Sequence, residues 1–308
     1  MKNIDILCVG EVLIDFIGHQ SEVLINDTRD YHRYLGGSPT NVAMNSSRLG
    51  LQSAMVATVG DDGFGDYIFK RFAEVDVDTK NVKIVKSLPT SVIFVSRSET
   101  TPDFIPFREA DALITEDQIS SDILSRTNIF HTTCFALSKN PAQTTIINKA
   151  EEAFKLGCQL SMDVNYSEKL WSNKEEAFRI IKSYCKFNPL IKISEDDMFR
   201  LFEDTLSHDQ IFEFFHKEGV DLVCLTLGSK GVKLSQKSKG VIEMPAIKIE
   251  KVMDATGAGD AFWSGFLFAY IRKKPIEDCL EVALKLAALK LQNVGRLPDN
   301  INILSKLL

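Results

Sequence analysis

The sequence contains no C-x-x-C pair, no G-x-x-x-x-G-K-[ST] loop and no basic block longer than Arg272-Lys273-Lys274. No apolar run approaches the roughly 18 residues that a membrane-spanning helix needs. Each absence narrows the reading. The six cysteines (8, 134, 158, 185, 224 and 279) are widely spaced, and several lie in apolar runs such as Leu222-Val223-Cys224-Leu225, so they read as buried, reduced thiols. A formal charge of −6 without a basic patch argues against a nucleic-acid or anionic-membrane surface and suits an uncharged substrate. Glu11 and Asp15 come too early for a signal-peptide core, so a cytoplasmic location is expected and the Asn165-Tyr166-Ser167 sequon carries no meaning. Linkers, repeats and low-complexity segments are missing too. The 308 residues, 44% hydrophobic, therefore read as a single α/β domain over 1–308 with a sizeable core.

What is present alternates. Ile4 to Val9 is a short apolar run ending at Gly10, as a buried parallel strand would be, and 53–59 reads as the next strand. The second half predicts strands at 128–133, 158–163, 190–194 and 222–226. Helices are expected over 141–156 (Asn140 as N-cap), 174–185, 196–205, 208–218 and 276–294. Strand and helix in turn imply a mostly parallel sheet with helices on both faces. Residues 12–35, then 82–86, 91–96 and 101–108, lack a helical stripe and read as extended strands projecting from that sheet. The paired glycines of Gly36-Gly37-Ser38-Pro39-Thr40-Asn41 open a helix, with Ser38 as N-cap and Pro39 at its first turn. Asn41 there could bond a hydroxyl lying against glycine backbone.

The string Asp254-Ala255-Thr256-Gly257-Ala258-Gly259-Asp260-Ala261-Phe262 leads into an apolar run to Ile271, long enough for a helix. Gly257, Ala258 and Gly259 would bring backbone N–H groups close to a ligand at the positive end of that helix, which suits an anion. A carboxylate at 260 would repel bound phosphate, so either it caps the helix or it is a base that takes a hydroxyl proton during phosphoryl transfer. Asp15, just past the first strand, and Asp163 and Asn165, at the end of a later one, fall on the same carboxyl edge, where open α/β sheets bind ligands.

The nine-residue string resembles the C-terminal signature of the PfkB (ribokinase-like) carbohydrate kinases, D-T-x-G-A-G-D-x-F, with Ala255 second and Thr256 third. Residues 36–43 resemble the family's G-G-x-x-x-N-x-A, and Gly60 to Gly65 its G-x-D-x-x-G. Arg108-Glu109-Ala110-Asp111 resembles the R-x-A-D of fructokinase-like members, against a salt bridge as the plain alternative. Residues 163–171 resemble D-P-N-x-R-x-x-L-W, with Val164 in place of Pro and Ser167 in place of Arg. Ser194 to Asp197 stands where the family has N-x-x-E, although a capped helix start explains the same residues. Thr226 to Gly231 resembles T-x-G-x-x-G.

The resemblance implies a ribokinase-like fold with a small β-strand lid over about 12–35 and 88–108, and an ATP-dependent transfer to a primary hydroxyl of a monosaccharide, fructose at O6 first. Asp260 would be the base, with Gly257, Ala258 and Gly259 as the anion hole. Asp15, Gly36, Gly37, Asn41, Arg108 and Asn165 would hold the sugar. Ser194, Thr226, Gly228, Lys230, Gly231, Gly257 and Gly259 would border the nucleotide. Asp197 would serve Mg²⁺ through water, and Asp254 and Thr256 a potassium ion, as in members that use one. A homodimer through the lid is expected. The alternatives are a kinase for 2-keto-3-deoxygluconate, 5-dehydro-2-deoxygluconate or ribose, or a sugar-binding regulator without turnover.

Overall fold

The computed structural model describes residues 2–98, 103–203 and 206–298. Strands β1 (Ile4–Val9), β2 (Leu13–Ser21) and β3 (Tyr31–Gly36) lead into helix α1 (Ser38–Arg48), followed by β4 (Ser53–Gly60), α2 (Gly63–Ala73) and β5 (Asp78–Val85). Strands β6 (Val92–Arg97) and β7 (Phe104–Phe107) precede α3 (Ser121–Ser125), β8 (Thr127–Thr133), α4 (Ala142–Lys155), β9 (Gln159–Asp163) and α5 (Lys174–Cys185). The rest comprises β10 (Leu190–Ser194), α6 (Glu195–Phe202), α7 (His208–Lys217), β11 (Leu222–Thr226), β12 (Val232–Gln236), β13 (Gly240–Met244), α8 (Ala258–Ile271) and α9 (Ile276–Leu291).

The main sheet has nine strands in the order β13-β12-β11-β10-β9-β8-β1-β4-β5. From β11 to β5 every neighbour is parallel, and β12 and β13 add an antiparallel hairpin at one edge. Buried on both faces, β1, β4 and β11 are almost wholly apolar, as is usual for parallel strands, while β8, β9 and β10 also bury polar side chains such as His131, Ser161 and Lys192. Helices α3 to α7 close a core containing Phe130, Leu160, Tyr184 and Phe215. The other face, under α1, α2, α8 and α9, holds Met55, Phe72, Trp263 and Phe266. Helix α8 is buried nearly all round beyond its first turn, which explains a sequence that is apolar from Ala261 onward apart from Ser264. The fold is thus α/β with helices on both faces, and all six cysteines are free and buried.

Four strands leave this body to form a second sheet, β3-β2-β6-β7. Its inner face packs Leu13, Ile17, Ile93 and Val95 against Phe135 of the body. On its outer face Phe16, Phe94 and Phe107 make ring contacts, and Ile105 and Phe107 remain 45% and 54% exposed. A cavity of about 700 Å³ opens beside Phe64, Phe94 and Phe107.

Several elements differ from expectation. The extended segment at 82–86 belongs to β5, an edge strand of the main sheet paired with β4, and not to the projecting sheet. Its one fully buried residue, Val82, and its exposed lysines give it the half-polar pattern of either sheet's edge. The β12–β13 hairpin had no counterpart in the sequence reading. The helix expected over 196–205 ends at Phe202, where Glu203 turns left-handed at φ 58°; 204–205 lie outside the described residues, as do 99–102 of the projecting segment. The last helix stops at Leu291 instead of 294. Asn140 does accept the Thr144 N–H at 3.2 Å, although the regular helix begins at Ala142. Ser38 is not a cap: Gly37, at φ 103°, occupies that position. Among the described residues no helix is long and apolar enough to cross a membrane.

Candidate active site

The parallel strands end side by side, so the turns after β1, β8, β9, β10 and β11 share one carboxyl edge, and the N-terminus of α8 points into it. Gly257 starts α8 at φ 75°, a left-handed turn that β-carbon-bearing residues resist. The N–H groups of Gly259 and Asp260 fall in the first helical turn, where no intrahelical carbonyl is available. The Ala258 N–H bonds the Ala255 carbonyl at 3.1 Å, so it is already engaged where an anion-hole donor was expected.

Asp260, half-buried in that first turn, receives the Ser38 hydroxyl at 2.7 Å on one oxygen and the Asn41 amide at 2.8 Å on the other. Burial pushes its pKa up, opposed by these two hydrogen bonds and by the charges of Lys192 and Lys290. Both donors come from the start of α1, which is itself fixed by Glu11. This buried carboxyl accepts the Ser38 N–H at 3.0 Å and the Thr133 hydroxyl at 2.8 Å, and burial raises its pKa to about 8. Gly37 must be glycine, since an added β-carbon would lie 2.4 Å from the Glu11 carbonyl. At Gly36 the obstacle would be the Asp15 carboxyl, 2.3 Å away, so the side chain of Asp15 lies flat on that backbone. Burial, and then the charges of Asp260 and Asp254, push Asp15 up to about 7.

Beneath the turn lies Lys192, whose ammonium is 2.9 Å from Asp163 Oδ2 on the neighbouring strand, with side-chain exposures of 6% and 2%. An added β-carbon at Gly259 would sit 2.9 Å from the same ammonium. Although burial alone would lower it, Asp163, Asp197 and Asp260 hold the Lys192 pKa above its usual value. Burial raises Asp163 to about 7 against the pull of Lys192. Its Oδ1 is buried with no hydrogen-bond partner among the described residues.

The remaining expected residues divide. Asn165 reaches the site edge, where its Oδ1 accepts the Phe135 N–H at 2.9 Å. Arg108 turns away: its guanidinium makes two bonds to buried Asp111, at 2.9 and 2.6 Å, and stacks over Phe135, so it braces the wall instead of offering its fork to a ligand. Ser194 caps α6 and bonds Asp197, whose other oxygen takes Arg200 at 3.0 Å. In the loop from Thr226, Gly228 and Gly231 both have positive φ and Lys230 pairs with Glu195 at 3.3 Å. Asp254 holds Lys290 Nζ at 3.3 Å and the Thr256 N–H at 2.9 Å.

Sequence reasoning missed Glu11, Ser38 as a partner of Asp260, Lys192 and Lys290. The two lysines did leave a signal. Lys192 interrupts the apolar strand Leu190-Ile191-Lys192-Ile193, and Lys290 continues the buried stripe Cys279, Ala283, Leu286 at helical spacing. A lysine at a core position must meet a buried counter-charge.

Comparison with known proteins identifies the family and the fold. An "ATP-dependent 6-phosphofructokinase" of Thermoanaerobacterium thermosaccharolyticum is 34% identical over 97% of this chain and 91% of its own. The structure of Halothermothrix orenii fructokinase superposes with a TM-score of 0.82 at 31% identity, covering 92% of this chain and 98% of that one. A sugar kinase of Pyrococcus horikoshii, in complex with ATP, gives 0.81 at 28% identity over 94% and 93% of the two chains. The model of the pfkB family carbohydrate kinases matches residues 3–301. The chain therefore belongs to the pfkB family of carbohydrate kinases and is a phosphotransferase that acts on a sugar hydroxyl.

Proposed function

We propose that this kinase transfers the γ-phosphoryl group of ATP to a primary hydroxyl of a monosaccharide, with fructose phosphorylated at O6 as the first reading. The observation that carries it is Asp260, a carboxylate oriented by Ser38 and Asn41 in the first turn of helix α8. As oxygen attacks phosphorus, Asp260 takes the hydroxyl proton, and the N–H groups of Gly257 and Gly259 meet the charge on the transferred group. Asp15, Asn41 and Asn165 hold sugar hydroxyls, and the loop from Thr226 to Gly231 borders the nucleotide. Arg108 supports this pocket through Asp111 and Phe135.

Magnesium, which the family resemblance implies, would neutralise the β- and γ-phosphates when bound with ATP. Asp163 Oδ1 fits as an acceptor for its waters better than Asp197, whose oxygens are committed to Ser194 and Arg200. Among the described residues no group of three or more His, Cys, Asp or Glu is arranged to hold a metal, which favours an ion carried in on the nucleotide. The second sheet acts as a lid that excludes water, and its apolar outer face pairs with a second copy. The buried free thiols suit a reducing cytoplasm.

A sugar phosphate is the second reading, favoured by the relative named a 6-phosphofructokinase and by Arg33, exposed on the lid strand β3. The test measures ADP release from Mg-ATP with fructose, fructose 6-phosphate, ribose, 2-keto-3-deoxygluconate and 5-dehydro-2-deoxygluconate, for the wild type and Asp260→Asn. Fructose-dependent release that falls roughly 10²–10⁴-fold in a folded Asp260→Asn supports substrate and base together. Turnover of another compound replaces the sugar. Calorimetric sugar binding without ADP release against any of them would favour a sugar-binding regulator without turnover, and near-normal turnover by the variant would remove Asp260 as base.

A further inference from the structure

Family members that use potassium imply a monovalent cation beside Asp254 and Thr256. In this structure the residues there do not fit one, because a side chain has brought its own cation. The Lys290 ammonium is 3.3 Å from Asp254 Oδ2 and donates to the Asn293 carbonyl at 3.0 Å. The same carboxylate oxygen accepts the Gly295 N–H at 3.0 Å, and Oδ1 accepts the Thr256 N–H at 2.9 Å. With side-chain exposures of 3% and 2%, the pair is closed to bulk solvent. Against its burial, Lys290 and these two N–H groups hold the Asp254 pKa below the usual carboxylate range.

The position of the ammonium relates it to the chemistry. Lys290 Cε lies 3.8 Å from where a β-carbon on Gly257 would be, so the side chain runs directly behind the turn that begins α8. A second cation on Asp254 would meet a like charge at close range in a poorly solvated site, where repulsion is strong. The backbone supports the same view: the Met253 N–H bonds the Leu291 carbonyl at 2.8 Å, tying the segment before Asp254 to the end of α9.

We propose that the Lys290 ammonium permanently replaces the monovalent cation, making this kinase independent of potassium and Lys290 a positioning residue for the turn at 257–259. The idea rests on the kinase reading above only where turnover is measured. Removing the ammonium while keeping the unbranched stem out to Cε, as in Lys290→Met, leaves Asp254 uncompensated and opens a site that a free cation can enter.

ADP should be quantified directly by chromatography, in KCl, NH₄Cl, LiCl and choline chloride at equal ionic strength. The wild-type rate should be the same in all four. Lys290→Met should lose roughly 10²-fold in choline chloride, as expected when a catalytic turn is misplaced, and regain most of it in KCl or NH₄Cl. Activation of the wild type by KCl, or an equal loss by the variant in every salt, would overturn the proposal. Calorimetric melting supplies a readout that needs no turnover. KCl, relative to choline chloride, should raise the Tm of Lys290→Met but not that of the wild type, because a ligand bound only by the native state stabilises it. A potassium-specific rise in the wild type would contradict the inference even if every substrate assay were silent. Should Lys290→Met fail to fold in choline chloride, recovery of folded protein in KCl supports the proposal, and failure in both salts counts against it.

Discussion

Asp260 is held between opposing influences, and Ser38 is the one that a small substitution can remove. Burial raises the carboxyl pKa, while the Ser38 hydroxyl, 2.7 Å away, stabilises the charged form. Ser38→Ala should therefore raise the Asp260 pKa further. If Asp260 is the base proposed above, the acidic limb of the kcat profile should shift to higher pH, with the plateau less affected. A limb that stays in place would mean that another group controls it. The contrast between these two residues also explains what the sequence could disclose. Gly257, Gly259 and Asp260 are legible because they are neighbours in one string, and so are Gly37 and Asn41. The bond from Ser38 to Asp260 spans 222 positions, so in the sequence Ser38 resembles any helix cap. Lys192 and Lys290 stand alone in apolar runs whose counter-charges, Asp163 and Asp254, lie on other elements.

At the scale of elements, the second sheet is two-faced. Leu13, Ile17, Ile93 and Val95 face the body, whereas Phe16, Phe94, Ile105 and Phe107 form an apolar outer face with two members about half exposed. Apolar patches of this kind mark contact surfaces. If two lids pair through it, light scattering should give twice the 34.5 kDa chain mass, and Phe107→Glu should return the monomer. A monomeric wild type at assay concentration would remove the dimer. The same strands show where the sequence becomes ambiguous. Each segment lacks a helical stripe and reads as extended, but both sheets present polar edges. Thus β5, which buries only Val82 and exposes Lys80, Lys83 and Ile84, could be assigned to either until its parallel register with β4 was known. The long periodic helices, and strands as apolar as β1, β4 and β11, left no such choice.

For the whole molecule, burial concentrates carboxyls at one edge of the sheet. Glu11 has a pKa of about 8, and Asp15 and Asp163 of about 7, all above their unfolded values near ~4. Between those limits the folded state holds protons that the unfolded chain has released. The stability these groups provide is complete below pH ~4 and is lost as pH rises through 7 to 8. Calorimetry of the ligand-free protein should show Tm falling from pH 5.5 to pH 8.5, and Glu11→Gln, which keeps one acceptor oxygen and cannot ionise, should flatten the decline. A Tm that does not fall over this range would count against these raised values. The six buried thiols offer a different view of the same folding equilibrium. Cys134, Cys158 and Cys185 lie in the core under α3 to α7, and Cys8, Cys224 and Cys279 in the core on the opposite side of the sheet. Alkylation by iodoacetamide, followed residue by residue with mass spectrometry, would thus date separately the moment at which each half of the protein first admits a reagent.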